Sequence, residues 1–246
     1  MTGRELPPSS PFAGDDGTAA PAVAAALAAI EDGSGTVRGL VDALAGTRVL
    51  VPVLAELEVE DVVVHGGHEH TVDKEASAGI VALRAPDGRT ALPVFTSVAT
   101  MAAWRTDARP VPSDVARAAL SAVTEGWAVL VVDPGGPTTV LVPRPAVWAL
   151  AQQVPWRAAV TAQGVDPEVR DAIVAAVTPV AGVVTAAAVP GTRAEVAVVV
   201  GLVAGLDRTA LDAVLAQVNA ALADSELVAV RVDSLELRLR PSDPAR

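Results

Sequence analysis

Cysteine is absent from this chain, which removes disulfides, thiolate catalysis, iron–sulfur ligation and thiolate zinc sites together. Aromatic residues make up only 2% of it, with no tyrosine, so an interior must be filled by Ala, Val and Leu. Basic charge is also scarce: 18 Lys and Arg stand against 29 Asp and Glu, for a net charge of -11. Nucleic acid, whose binding needs clustered cations, is therefore not an expected partner, and neither is an anionic membrane surface. Only Lys74 among the basic residues is lysine, which fits a GC-rich genome better than a demand for guanidinium chemistry. The opening MTGRELPPSSPFAGDDG lacks the apolar core of a signal peptide. Ala172 to Thr192 carries no charge and is long enough to cross a bilayer. Pro179, Gly182 and Pro190-Gly191 interrupt it, so it is expected to be a helix end followed by a buried strand. The expectation is a cytoplasmic protein.

What the chain does contain is apolar content of 51% over 246 residues, enough for one or two cores. Residues 1–18, rich in Pro, Ser and Gly, are expected to form a flexible tail. A helix starts at Pro21, and Thr36 caps a second with Val37, Leu40, Val41 and Leu44 on one face. Arg48 to Leu54 is expected to be a strand, and Leu57 to Leu83 a hairpin. Pro86-Asp87-Gly88 has turn chemistry, and a strand from Leu92 to Phe95 follows. Further helices are expected from Pro112 to Glu125 and from Pro145 to Gln152. Between them lie the apolar strand Ala128 to Val132, the Asp133-Pro134-Gly135-Gly136 turn and a partner strand, Thr138 to Val142. Composition shifts near Pro155. Beyond it the pattern predicts strand 158–162, helix 167–177, strands 181–189 and 195–203, helix 207–223 and strand 226–239. That order, β-α-β-β-α-β, is ferredoxin-like. The expected organisation is a domain over 19–154, a second over 155–241 and a tail over 242–246.

Few residue sets carry chemistry. The three histidines, His65, His68 and His70, fall in six residues beside Glu69, a composition that suits zinc, nickel or copper. Glycines flank them, no HExxH helix is present and no second cluster supplies a fixed ligand. They are the candidate metal residues of a chain expected to bind no metal and no cofactor. Asp15-Asp16, Glu56, Glu58 and Glu60-Asp61 are expected to be solvated, since acid–base work needs carboxyls in contrasting environments. Ser97 lacks the G-x-S-x-G elbow of a hydrolytic nucleophile; Thr96 or Ser97 instead caps the helix toward Trp104. Gly135-Gly136 does not form a phosphate loop. Trp104, Trp127, Trp148 and Trp156 suit core or domain-interface anchoring. Phe95, Thr96, Ser97 and Trp104, in the strand–turn–helix from Asp87 to Trp104, are the candidate binding residues.

Asp73-Lys74-Glu75-Ala76, APDGRTALPVFTS over Ala85 to Ser97, Trp104, ARPVP over Ala108 to Pro112, and VDPGGPTTVLVPRPAVWALAQ over Val131 to Gln152 together resemble the bacterial SseB family, in its N-terminal-domain form. PFAGDDG at Pro11 to Gly17 is similar to that family's leader. The family is named for enhanced serine sensitivity, so the resemblance implies a link to amino-acid metabolism and carries over no catalytic residue. Sulfurtransferases sometimes given the same name need a persulfide-forming cysteine, which this chain lacks. The expected fold class is α+β, an N-terminal mixed α/β domain of hairpins and short helices followed by a ferredoxin-like domain. The expected role is non-catalytic, a regulatory or interaction protein, with a small-molecule (amino-acid) sensor as the alternative. A protein partner or self-association through the second domain's sheet is expected, with no nucleic acid and no membrane.

Overall fold

The computed structural model describes residues 12–54, 81–85 and 87–241. These belong to two compact units, one running to Pro155 and the other starting at Trp156. The mixture of helices and sheets is α+β, as expected. None of the described helices is long and apolar enough to cross a membrane.

In the first unit Pro21 occupies the first helical position of α1 (Pro21–Glu31), where a missing N–H is harmless. The Thr36 hydroxyl accepts a hydrogen bond from the Gly39 amide at 3.1 Å and opens α2 (Val37–Leu44), which buries Leu40, Val41 and Leu44 along one stripe. β1 (Arg48–Val53) pairs antiparallel with β4 (Arg109–Asp114). A second sheet runs in the order β2 (Leu83–Arg84), β3 (Thr90–Val94), β5 (Val129–Val132) and β6 (Val140–Val142). Its central strands, β3 and β5, are parallel, so the chain must cross over between them. That crossover carries α3 (Val98–Trp104), β4 and α4 (Val115–Thr124), and α5 (Arg144–Gln152) follows β6. All four residues of β5 are buried, as befits an apolar strand covered on both faces. Leu50 and Phe95 exchange two backbone hydrogen bonds of 2.8 Å, stitching β1 to the residue just beyond β3. β4 falls where no strand was expected. Pro110 and Pro112 cannot donate to a ladder, but β4 is the outer member of its pair and tolerates them. The expected His-containing hairpin, apart from Val81 to Leu83, lies outside the described residues.

The second unit departs further from expectation. Instead of a strand over 158–162, only β7 (Val160–Thr161) and β8 (Gly164–Val165) pair, as a separate two-stranded hairpin. Gly164 has φ +111°, and the Gln163 amide donates to the Thr161 hydroxyl at 3.2 Å, so the chain reverses before a longer strand can form. α6 (Pro167–Val177) is capped by Asp166, which accepts from the Glu168 amide at 3.0 Å. β9 (Val183–Pro190), β10 (Val196–Leu202) and β11 (Leu235–Pro241) make a three-stranded sheet ordered β11-β10-β9. β10 is antiparallel to β9 and parallel to β11. A ferredoxin-like fold would split that parallel pair with another strand; here the two are direct neighbours. α7 (Arg208–Ala223) is capped by Asp207 and buries Val214, Val218 and Leu222. Residues 226–231, expected to begin the last strand, form a short helix, α8 (Glu226–Arg231). Glu226 in its first turn and Arg231 in its last both oppose the helix dipole favourably. Arg231 also donates to the Arg157 carbonyl at 3.0 Å. The core gathers Ile173, Val196, Val198, Val200 and Val218 between the helices and one face of the sheet.

Candidate functional site

The first unit's densest polar arrangement lies where β3 and β5 end. Asp133 follows β5 and is only 3% exposed. Its backbone sits at φ +46°, a left-handed conformation that Asp tolerates better than most residues. The Asp133 amide donates to the Val94 carbonyl at 2.9 Å, extending the parallel pairing by one step. That step aims the carboxyl at the start of α3. There the Thr96 amide donates to Oδ1 at 2.8 Å and the Thr96 hydroxyl to Oδ2 at 2.7 Å. The Thr100 hydroxyl stands 2.9 Å from Oδ1 and 2.9 Å from the Ser97 carbonyl. Ser97 Oγ accepts from the Thr100 amide at 3.1 Å, and the Ser97 amide donates to Thr100 Oγ1 at 3.3 Å, closing a capping box. On the other side of the turn, the Gly136 amide and the Thr139 hydroxyl donate to the Asp133 carbonyl at 3.1 and 3.0 Å. A buried carboxyl is costly unless its oxygens are hydrogen-bonded, and these are filled. The arrangement brackets a loop to a helix.

Arg48 joins a second segment to this bracket. Its Nη1 donates to the Thr96 carbonyl at 2.6 Å and its Nη2 to the Thr18 carbonyl at 2.6 Å. Nη2 also reaches Asp15 Oδ1 at 2.8 Å, and Nε donates to Oδ2, a bidentate pair. These hydrogen bonds hold the Asp15 carboxyl below the usual carboxylate range. Asp15 is exposed as a residue, as expected, but Arg48 covers its side chain, which is 17% exposed. The Gly17 carbonyl accepts from the Val98 amide at 2.9 Å, so the segment from Phe12 to Thr18 supplies a partner for the first turn of α3. A side chain at position 17 would meet Val98 Cγ2 at 2.8 Å, and φ there is +77°, so glycine is required.

The candidate binding residues do come together, though in different roles. Phe95 is fully buried and Thr96 is 4% exposed, so they act on the surface only through what they position. Ser97 and Trp104 are half-buried. The Phe95 and Trp104 rings are 5.2 Å apart, tilted by 36°, and pack with Leu50 and Met101. Trp104 also lies over Gly135 of the turn after Asp133. From the sequence alone Asp133 is a turn residue, and neither Thr100 nor Arg48 stands out. One signal was available, an Asp directly after a wholly apolar strand. His65, His68 and His70 lie outside the described residues. Among those described, no group of three or more His, Cys, Asp or Glu side chains converges as a metal would need. The most exposed tryptophan-bearing surface is that of α5, where Trp148 is 44% exposed while Val147, Ala149 and Leu150 are buried.

A family model described as the SseB protein N-terminal domain matches residues 23–149, more than half of the chain. The chain belongs to that family. The matched stretch contains Arg48, Thr96, Ser97, Thr100 and Asp133; the Asp15 segment and the second unit lie outside it. No curated protein and no solved structure matches the chain.

Proposed function

We propose that this SseB-family chain is a non-catalytic regulatory or interaction protein of the cytoplasm, linked to amino-acid metabolism and acting through a protein partner. The supporting observation is that, among the described residues of the family domain, the reactive side chains gathered at the start of α3 are spent on one another. Both carboxyl oxygens of Asp133, the hydroxyls of Thr96 and Thr100, and Ser97 Oγ are engaged with each other or with backbone at the start of α3. A general base or nucleophile needs a lone pair aimed at a substrate, whereas these atoms hold a fold junction in place. The surface proposed to carry contact is that of α5 around Trp148, since exposed tryptophans are frequent anchors of protein interfaces.

The test is purification of tagged full-length chain from its native host, with proteins and small molecules both identified. The expected result is a stoichiometric protein partner retained on repurification. Trp148→Ala should weaken that partner tenfold or more, equivalent to about 1.4 kcal/mol, with an unchanged melting temperature. A single bound metabolite without a protein partner would instead support a sensor and refute the proposal.

A further inference from the structure

The sheet of the second unit has one face against the helices and one face turned away from them. Val196, Val198 and Val200 of β10 enter the core. Strand alternation therefore sends Ala197, which is fully buried, and Val199, which is half-buried, to the other side, so the accessible apolar part of that face lies toward β9. The register aligns Val189, Ala197 and Glu236 in one row across this face, and Ala187, Val199 and Arg238 in the next. Arg240 follows along β11. The β9 side is uncharged and open: Val189 is 36% exposed, and Ala187 is also exposed.

The β11 side is basic, in a chain whose net charge is -11. Glu236 is 8% exposed. It accepts from the Thr192 amide at 2.8 Å, from Arg193 Nε at 3.1 Å and from Arg238 Nη2 at 2.6 Å. Arg238 Nη2 also donates to the Thr192 hydroxyl at 2.9 Å. Arg193 remains 82% exposed and Arg238 35% exposed despite these bonds. Arg240 is exposed and has no ion pair among the described residues. Among the described residues three guanidinium groups thus lie on this face with Glu236, and Glu195 stands at its end accepting from the Asp233 amide at 2.7 Å, leaving an excess of positive charge beside an apolar strip.

We propose that this open sheet face docks an acidic amphipathic helix of a partner protein, its apolar stripe over Ala187, Val189 and Val199 and its carboxylates over Arg238 and Arg240. This names a partner class for the interaction reading above and rests on it. The dimensions agree. β9 and β11 flank β10 at about 4.8 Å each, giving a strip close to the roughly 10 Å width of a helix. Residues two apart on β11 are separated by about 6.6 Å, and residues four apart on a helix rise by about 6 Å. Glutamates at that helical spacing match Arg238 and Arg240. A helix here would also complete the covering of the sheet on both faces.

Charge decides against a second copy of this chain as the occupant. If two copies met face to face about an axis across the strands, β11 would lie over its own equivalent and bring arginines against arginines. About an axis along the strands, the arginines would lie over uncharged Ala187 and Val189, and excess positive charge would be buried without a partner. Both arrangements are costly.

The test uses full-length 15N-labelled protein and an 18-residue capped helical peptide with one leucine stripe and glutamates four apart on its flank. A control peptide carries lysine in place of each glutamate. The glutamate peptide should shift the amides of β9, β10 and β11, bind more weakly as salt rises, and lose tenfold or more in affinity to Arg240→Glu. Arg240→Glu leaves the Glu236 hydrogen bonds intact; Ala187→Asp, at an exposed position, checks the apolar strip independently. Absence of shifts at peptide excess, or equal binding of the lysine peptide, would overturn the proposal. So would a wild-type dimer in sedimentation that Arg240→Glu converts to monomer. If the peptide fails while Trp148→Ala still releases a partner, this face is wrong and the interaction reading stands. Failure of both removes both.

Discussion

Replacing Asp133 separates what its carboxyl contributes from what its backbone conformation demands. In Asp133→Ala the Thr96 amide loses its acceptor at a position 4% exposed, and an unsatisfied buried donor costs about 1–3 kcal/mol. The Thr100 hydroxyl is less affected, because the Ser97 carbonyl lies 2.9 Å away as an alternative acceptor. Alanine must also hold φ +46°, which adds about 1 kcal/mol without a local hydrogen bond to offset it. The expected cost of Asp133→Ala is therefore about 2–4 kcal/mol. Asp133→Gly loses the same acceptor but not the conformational strain, and should be about 1 kcal/mol more stable than the alanine variant. Asp133→Asn keeps an acceptor oxygen for Thr96 and tolerates the left-handed backbone, so it should lose only about 1 kcal/mol. The expected order is Asp, Asn, Gly, Ala. Urea unfolding followed by tryptophan fluorescence suits the measurement, since Trp104, Trp127 and Trp148 belong to the first unit and only Trp156 to the second. Glycine equal to or below alanine would refute the backbone argument. An alanine variant within about 0.5 kcal/mol of the parent, the range of an ordinary surface substitution, would refute the bracket itself.

Two further outcomes are expected. Arg48→Ala should raise hydrogen exchange at the Val98 amide, which the Gly17 carbonyl now holds, and should move the Asp15 titration up toward 3.8; unchanged protection of Val98 would count against the clamp. Glu236 is lowered from 4.5 to about 2, chiefly by the Thr192 amide and then by Arg238 and Arg193. Because the folded value is the depressed one, the carboxylate's contribution is present above 4.5 and is lost as pH falls toward 2. The melting-temperature gap between the parent and Glu236→Gln should then be widest near neutral pH and close across that acid window. A gap independent of pH would show that the carboxylate's charge is not what the Thr192 and Arg238 contacts reward.

How far each element was legible in the sequence follows from how far along the chain its cause lies. Thr36, Ser97 and Asp207 cap their helices through amides three residues away, and each was placeable from local spacing. The buried run of β5 was equally plain, because four apolar residues need no partner to be recognised. β4 was missed since proline argues against a strand until one knows that the strand is an outer one. ELVAVR at 226–231 has the apolar content of either a strand or a helix. Its helical outcome draws on Arg231 reaching back to Arg157. Asp133 and Thr96 are 37 residues apart, Arg48 and Asp15 are 33, and Glu236 and Thr192 are 44. No local pattern encodes those meetings. Glu236 shows the consequence most sharply. Its place between Leu235 and Leu237 puts it, by alternation, on the face opposite the core. Alternation names a face, however, and does not say what covers it. The Thr192 amide and two arginines bury this carboxylate on that face, and the charge they leave uncancelled is what the proposed acidic partner would meet.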